Sequence, residues 1–185
     1  MLDPARARAV RLFGFDVDGV LTDNGIYVAV EAARRVETKR FHALDGVAFH
    51  FLHQAGIDVA WISGRTSDAT VDRARELRVT EVIQDTGLGF KLPAVRELLR
   101  RKGLDWAQFA YIGDDLADIP VLRRAGLPLA VANAVPEVKA LAAWTGERAG
   151  GHGAVREVVE ALLRARGEWD ALVARYLEER GDRDG

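Results

Sequence analysis

The chain has 185 residues, of which 49% are hydrophobic, and its 26 Lys and Arg residues nearly balance its 28 Asp and Glu residues. This length and apolar content suit one domain of ordinary size with a well-buried core. The formal net charge of −2 favours neither a nucleic-acid groove nor a polybasic membrane surface. Because the chain has no cysteine, a disulfide framework and thiolate metal sites are excluded.

The hydrophobic pattern of the sequence also predicts no membrane-spanning segment and no export signal. The sequence contains no apolar run of about 18 residues, the length that a membrane-spanning helix needs. The first ten residues lack the apolar segment of a signal peptide. We therefore expect a cytoplasmic protein with no membrane and no nucleic-acid partner.

Short apolar runs alternate with longer amphipathic segments along the chain. The runs predict strands at VRLFGF, IDVAWI, TEVIQ, QFAYI and LPLAVA, and the segments between them predict helices at 45–56, 66–78, 91–103 and 115–126. Strands joined through helices lie parallel in one sheet, because such crossovers are right-handed. The sequence therefore predicts an α/β fold, followed by two helices at 154–166 and 168–179.

Polar residues cluster where the predicted strands end. These clusters are Asp16 with Asp18, the segment Ser63-Gly64-Arg65, the loop before Lys91, and Asp114 with Asp115. In parallel α/β sheets, ligands bind beyond the carboxyl ends of the strands. We therefore expect the four clusters to converge on one site.

The stretch FGFDVDGVLTDNG places Asp16, Asp18 and Asp23 directly after an apolar run. One explanation is a simple turn, since Asp and Gly both favour turns. A calcium loop of the EF-hand type is excluded, because Val20 stands where an oxygen ligand is needed. Walker and dinucleotide-binding motifs are absent as well. Carboxylates clustered with a second acidic pair, in YIGDD, favour a Mg²⁺ site.

Four motifs, in order, resemble those of the haloacid dehalogenase-like phosphatase superfamily: DVDGVLTD, WISGR, Lys91 and GDDLAD. Further stretches, such as KRF, DGVAFHFL, AVANAVPEVK and GGHGAVREV, are similar to its capless 3-deoxy-D-manno-octulosonate 8-phosphate (KDO 8-phosphate) phosphatase group, over residues 11–163. The resemblance implies one domain over 1–185, a Rossmann-like three-layer sandwich with a central parallel sheet and a β-hairpin flap at about 24–38, and no cap domain.

The resemblance also implies roles for the carboxylates. Asp16 matches the nucleophile that forms an aspartyl-phosphate, and Asp18 matches the general acid and base. Asp16, the backbone carbonyl of Asp18, and Asp114 would bind Mg²⁺. Asp118 would orient its loop, and Asp115 would lie behind the metal ligands.

The resemblance assigns phosphate binding to the next two motifs, WISGR and Lys91. The Ser63 hydroxyl and the Gly64 amide match groups that hold phosphoryl oxygens, and Lys91 adds a positive charge to the same group. Taken alone, a serine in the position of Ser63 is more often a helix cap than a ligand, and a lysine such as Lys91 is more often a solvated surface residue than a site residue.

The implied substrate is a phosphorylated sugar acid, with KDO 8-phosphate hydrolysed to KDO and inorganic phosphate. In the group, the hairpin builds a homotetramer whose neighbouring subunits help to close each site. The local propensity of residues 26–41 is divided between strand and helix. IYVAV favours a strand, whereas EAARRVETKR would form an acceptable helix. The glycine-rich loop 150–153 with Arg156 would form a further pocket wall, or alternatively a flexible helix start.

Two positions depart from the group's pattern. Leu44 stands where a basic residue is common, and His50 where a longer basic side chain is usual. A sugar carboxylate needs a cationic partner, for which the candidates are Arg65, Arg148, Arg156 and Lys39. Alternatives therefore stay open: a phosphatase for a related nonulosonic acid phosphate such as KDN 9-phosphate, or a weakly active oligomerisation or regulatory module. The four histidines do not form a convincing metal set.

Overall fold

Six parallel strands form the centre of the molecule in a computed structural model that describes residues 1–31, 34–84 and 90–181. Their order across the sheet is β5-β4-β1-β6-β7-β8. The strands are β1 Leu12–Asp16, β4 Asp58–Ile62, β5 Glu81–Ile83, β6 Phe109–Gly113, β7 Leu127–Ala130 and β8 Trp144–Thr145. The predicted α/β class with a central parallel sheet is confirmed.

Helices cover both faces of the sheet. On one face α1, α2, α7 and α8 pack together with α3 beside α2, and on the other face α4 packs on α5 and α5 on α6. The helices are α1 Pro4–Ala9, α2 Ala43–Gln54, α3 Asp68–Glu76, α4 Lys91–Lys102, α5 Ile119–Leu122, α6 Pro136–Lys139, α7 Ala154–Arg166 and α8 Trp169–Glu178. The elements α1, α6 and β8 were not predicted, because each is too short to show a period.

The predicted helix at 115–126 is only partly correct. The chain forms a 3₁₀ turn at Leu116–Asp118 and then the four-residue helix α5. Pro120 has no backbone N–H and therefore fits only the first turn of a helix, which places the start of α5 after the turn.

Strand β1 lies in the middle of the core. Leu12, Phe13 and Phe15 are all fully buried, and the rings of Phe13 and Phe15 stack with centroids 4.1 Å apart. A strand covered on both faces has no polar side, which explains its continuous apolar run. Asp16 is its last residue, so the fold itself carries this carboxylate to the end of a buried strand.

The strand order reverses between β1 and β6. From β1 the chain proceeds to β4 and β5 on one side, and it then crosses to β6, β7 and β8 on the other. In open α/β sheets such a switch point leaves a crevice at the carboxyl ends of the two strands. Asp16 ends β1 and Asp114 follows β6, so both carboxylates stand at this crevice.

The hairpin flap is confirmed. Strands β2 Tyr27–Glu31 and β3 Arg34–Thr38 pair antiparallel, with Tyr27 opposite Thr38. The segment RRVETKR, whose composition would suit a helix, is thus held in a strand by its pairing, as tertiary context often overrides weak propensity. The two residues between the strands, and the loop 85–89 that was predicted to contribute to the site, lie outside the described residues.

Two further points follow from the described helices. None of them is both long enough and apolar enough to cross a membrane. Within the described ranges, the connections after Asp16 and before Asp114 contain the hairpin, helices and strands of the single sheet and no cap domain.

Candidate active site

Lys91 joins the carboxylates at the crevice. It is the first residue of α4, and its side chain is 5% exposed. Its Nζ donates to Asp16 Oδ1 and, at 2.7 Å, to Asp118 Oδ1. Burial by itself would lower the pKa of Lys91, but the Asp16 and Asp118 carboxylates outweigh it and hold that pKa well above its usual value. Lys91 is therefore a buried, charged ammonium group and not a surface lysine.

Asp118 is saturated with donors from its own loop. Its Oδ1 accepts from Tyr111 OH at 2.7 Å as well as from Lys91, and its Oδ2 accepts from the amides of Asp114 at 3.0 Å and Asp115 at 3.3 Å. A carboxylate with four donors fixes the backbone around it. Asp118 thus holds the turn that presents Asp114.

Asp114 packs directly against the turn that follows β1, Val17–Leu21. Within this turn Gly19 has φ +109°, and a Cβ built there would lie 2.0 Å from Asp114 Oδ2. Only glycine meets both the conformation and the close approach. The glycine of the DVDG motif therefore lets the β1 and β6 loops touch.

Like charges accumulate around Asp16. Burial raises its pKa well above the ordinary value, Lys91 lowers it, and Asp118 and Asp114 raise it further. Burial and the neighbouring Asp118 likewise raise the pKa of Asp114 to about 7, with the Asp16 carboxyl within hydrogen-bonding reach. Two carboxyl groups that face each other in a buried crevice are unfavourable while both are charged.

The residues present fit a divalent cation. Oxygen atoms of Asp16, Asp114 and Asp118 lie within 4.8 Å of one another. Among the described residues, these three carboxylates form the group that could bind a metal ion. Asp16 Oδ2 is buried and has no hydrogen-bond partner there. The sequence predicted Asp16, Asp18 and Asp114 as ligands. Asp118 is close enough to be a ligand, but protein donors already occupy both of its oxygens.

Asp18 lies on the outer side of the crevice and also has two partners. Its Oδ1 accepts from Lys39 Nζ at 2.5 Å, and its Oδ2 accepts from Ser63 Oγ at 3.0 Å. Ser63 is fully buried after β4, and its hydroxyl also accepts from the amide of Arg65 at 3.0 Å. Ser63 does not cap helix α3, whose first flanking residue is Ser67. The structure thus brings together Asp16, Asp18, Ser63, Lys91 and Asp114.

Arg65 is held at the edge of this group by the hairpin. Its Nη2 donates to both Glu37 carboxylate oxygens at 3.0 Å. The neighbouring Gly64 is exposed in the loop after β4. Both residues stand where the sequence placed them, beside Ser63.

Arg156 contacts residues of the helices, and its role in the substrate pocket stays a prediction. Its guanidinium lies over the rings of Trp169 and Phe51, at 4.9 and 5.7 Å, and 3.6 Å from Glu160. These contacts give it a packing role between α2, α7 and α8, so the structure does not bring its side chain to the carboxylate cluster. The Arg156 amide instead donates to the buried Asp45, which stabilises the start of α7 from a neighbouring helix.

The glycine-rich loop packs tightly against the turn after β1, and its role as a pocket wall stays a prediction. A Cβ at Gly150 would lie 1.8 Å from the Gly19 carbonyl oxygen, and one at Gly151 would lie 2.3 Å from the Asp23 amide nitrogen. The loop packs backbone against backbone on the turn after β1. It therefore supports the turn that carries Asp18.

Sequence reasoning missed Tyr111, Glu37 and Asp45. Tyr111 was included only in a predicted strand, although a buried tyrosine hydroxyl needs a partner and Asp118 of the GDDLAD motif, seven residues later, supplies one. Glu37 lay in a segment of divided propensity, and the role of Asp45 depends on a helix 111 residues further along the chain. Lys39 was named only as a candidate partner for a sugar carboxylate.

Comparison with known proteins agrees with this geometry. Residues 90–158 match the family model of haloacid dehalogenase-like hydrolases, a span that includes Lys91, Asp114 and Asp118. The switch-point crevice and its carboxylate cluster define the same class of enzyme.

Curated and structural relatives are more specific. The chain is 40% identical to 3-deoxy-D-manno-octulosonate 8-phosphate phosphatase of Escherichia coli K12 over 166 residues, which is 90% of this chain and 86% of the relative. The Moraxella catarrhalis phosphatase, whose structure contains a magnesium ion, a phosphate ion and a KDO molecule, is 37% identical with a TM-score of 0.87, covering 94% of this chain and 97% of that one. The cobalt-bound Haemophilus influenzae phosphatase is 32% identical with a TM-score of 0.82, covering 90% and 94%.

The chain therefore belongs to the 3-deoxy-D-manno-octulosonate 8-phosphate phosphatase family of haloacid dehalogenase-like hydrolases, which makes it a phosphomonoesterase. The resemblance drawn from the four motifs is confirmed.

Proposed function

We propose that this protein hydrolyses KDO 8-phosphate to KDO and inorganic phosphate, with Mg²⁺ as cofactor and Asp16 as nucleophile. The observation that carries the proposal is the arrangement of Asp16. One of its oxygens is held by Lys91, and the other is buried, unpartnered and close to Asp114. The names and ligands of the relatives support the substrate and the metal.

The reaction needs two displacements at phosphorus. In the first, an Asp16 oxygen bonds to phosphorus and the bond from phosphorus to the sugar oxygen breaks, while Asp18 gives its proton to that oxygen. In the second, Asp18 takes a proton from water, the water oxygen bonds to phosphorus, and Asp16 is released with inorganic phosphate. Asp16 thus returns as a carboxylate and Asp18 as a carboxylic acid.

The remaining site residues hold and neutralise the phosphoryl group. Ser63 Oγ and the Gly64 amide donate to its oxygens, and Lys91 places a fixed positive charge beside Asp16. Asp16, Asp114 and the Asp18 carbonyl would hold Mg²⁺, which would supply charge stabilisation as a Lewis acid. Asp118 positions Lys91 and Asp114. Arg65 binds the sugar carboxylate from a position fixed by Glu37.

The assembly we propose is a homotetramer in the cytoplasm. Apolar side chains are exposed on the hairpin segment and at the same edge of the molecule, and they are Ile26, Tyr27, Val28, Leu44, Phe90 and Leu116. Contact with neighbouring subunits would bury them and also protect the edges of a two-stranded sheet. The same contact would exclude water from a site that has no cap of its own.

A related nonulosonic acid phosphate, such as KDN 9-phosphate, is the second candidate substrate. The observation that favours it is Leu44, an exposed apolar side chain at the start of α2 where the group commonly has a base. His50 does not replace that base, because it lies 3.7 Å from Glu179 and packs edge-on to Tyr176 of α8.

Phosphate release from KDO 8-phosphate, KDN 9-phosphate and glucose 6-phosphate, measured with Mg²⁺, tests these proposals. We expect kcat/KM to be highest for KDO 8-phosphate. A higher value for KDN 9-phosphate would transfer the assignment to the second substrate. Comparable low values for all three would instead support a weakly active module.

A further inference from the structure

Lys39 is an almost buried cation that the hairpin brings to the active site. It directly follows strand β3, its side chain is 3% exposed, and its Nζ lies 2.5 Å from Asp18 Oδ1. Lysine side chains are rarely so buried, since an ion pair seldom recovers the cost of removing an ammonium group from water. Stability alone therefore does not account for its position.

The two lysines of the site contact different carboxylates. Lys91 donates to Asp16, whereas Lys39 donates to Asp18. In an in-line displacement the attacking and leaving oxygens are on opposite sides of phosphorus. With Asp16 as the attacking group and Asp18 serving the leaving oxygen, Lys39 lies on the side where the sugar departs.

The position of Lys39 is fixed by a second contact of the same strand. Glu37 lies in β3, and Lys39 directly follows the strand. Glu37 binds Arg65 of the loop after β4, and Lys39 binds Asp18 of the loop after β1. The strand is thus attached to both loops, and the ammonium group is held in place by the hairpin as a whole.

We propose that Lys39 contacts the substrate on its leaving-group side. When the sugar oxygen enters, Lys39 Nζ exchanges its contact with Asp18 Oδ1 for one with that oxygen. As the bond from phosphorus to the sugar oxygen breaks, the electron pair stays on this oxygen and its proton comes from Asp18. Lys39 keeps its own proton and stabilises the developing negative charge. This inference rests on the proposed roles of Asp16 and Asp18.

Two substrates with different leaving groups provide the test. A sugar phosphate releases an alkoxide that needs stabilisation, whereas p-nitrophenyl phosphate releases an already stable anion. We expect Lys39→Met to lower kcat on KDO 8-phosphate by about 100-fold. The same variant should lower kcat on p-nitrophenyl phosphate by only about tenfold. Lys39→Arg keeps the charge and should recover part of the lost activity on the sugar phosphate.

Arg40→Met is the matched control, because it removes the neighbouring cation, which is half exposed and contacts Asp23 and not Asp18. It should change the two kcat values by a similar factor. An equal loss on both substrates in Lys39→Met, or no loss on either, would overturn the proposal. A wild-type enzyme that prefers another alkyl phosphate would contradict only the proposed substrate. The role of Lys39 would then be tested by comparing the loss of kcat on that ester with the loss on p-nitrophenyl phosphate.

Discussion

The crevice between β1 and β6 and the hairpin β2-β3 differ in how completely a single chain satisfies them. In the crevice, Lys91 and Asp118 are buried and hydrogen-bonded, and Asp118 has four donors. On the hairpin segment, Ile26 is 65% exposed and Val28 47% exposed. A single chain therefore preorganises the carboxylate cluster, while it leaves apolar side chains of the hairpin segment exposed.

The largest expected effect is a loss of turnover when the Asp16 carboxylate is removed from the crevice. Asp16→Asn removes the attacking charge and the unpartnered oxygen while conserving shape, so kcat should fall by about 10³-fold or more. The fold should survive, because the change relieves a carboxylate whose pKa is raised by burial. Steady-state phosphate release, with circular dichroism as the folding control, measures both. Near wild-type turnover in clean protein would exclude Asp16 as nucleophile.

The next largest effect concerns Mg²⁺ affinity, to which Asp114 and Asp118 should contribute differently. Asp114→Ala should raise the Mg²⁺ dissociation constant by about 100-fold or more, since it removes a ligand. Asp118→Asn should change it by about tenfold and mainly lower kcat, because Lys91 and Asp114 lose their support. Isothermal titration with Mg²⁺ provides the binding constants directly. Equal effects of the two variants on Mg²⁺ affinity would contradict the assignment.

The hairpin half is tested by charging its exposed face. If the proposed homotetramer forms through the hairpin, Val28→Asp should convert it to smaller species and lower kcat/KM on the sugar phosphate by about tenfold, because neighbouring subunits would no longer complete the site. Val71→Asp is the matched control, an exposed valine on α3 that should leave assembly and activity unchanged. Sedimentation velocity measures the assembly. A wild-type chain that sediments as a fully active monomer would refute this part of the account.

The smallest expected effect concerns stability without metal. Because the pKa of Asp114 is raised to about 7, above the ordinary 3.8, the folded state binds its proton more tightly than the unfolded chain. Stability in EDTA should therefore fall as pH rises from about 4 through 7. Asp114→Asn should melt about 2–8 °C above wild type at pH 8, with the difference vanishing near pH 4.

Thermal unfolding at both pH values measures this effect. Asp170→Asn, which changes an almost fully exposed carboxylate, is the control and should leave the melting temperature unchanged. A wild-type protein whose metal-free stability rises between pH 5 and 8 would show that the carboxylates do not repel one another.

The sequence predicted the crevice better than its surroundings, for a physical reason. Parallel strands carry their final residues to one edge, so Asp16, Ser63 and Asp114 meet wherever the apolar runs form a sheet. Local patterns were enough to locate them. The limits of α5 were less predictable, because Pro120 restricts a helix whose pattern extended further.

Contacts that depend on distant packing were not predictable. Glu37 and Lys39 reach the site only because β3 pairs with β2, against a local composition that also suits a helix. Arg156 was assigned to the pocket from its place in a motif, but its packing on the aromatic rings of Phe51 and Trp169 was not predicted. The glycines at 150 and 151 were recognised as unusual, yet their reason is a close approach to a turn that is distant in sequence.

The most direct test of the central claim is to trap the covalent enzyme. The protein is mixed with KDO 8-phosphate and Mg²⁺, quenched in acid within the first turnover, and the peptides are analysed by mass spectrometry. The account predicts one phosphoryl group on Asp16 in the wild-type protein and none at this position in Asp16→Asn. A phosphoryl group on a different residue, or sugar phosphate hydrolysed at wild-type rate by Asp16→Asn, would contradict it.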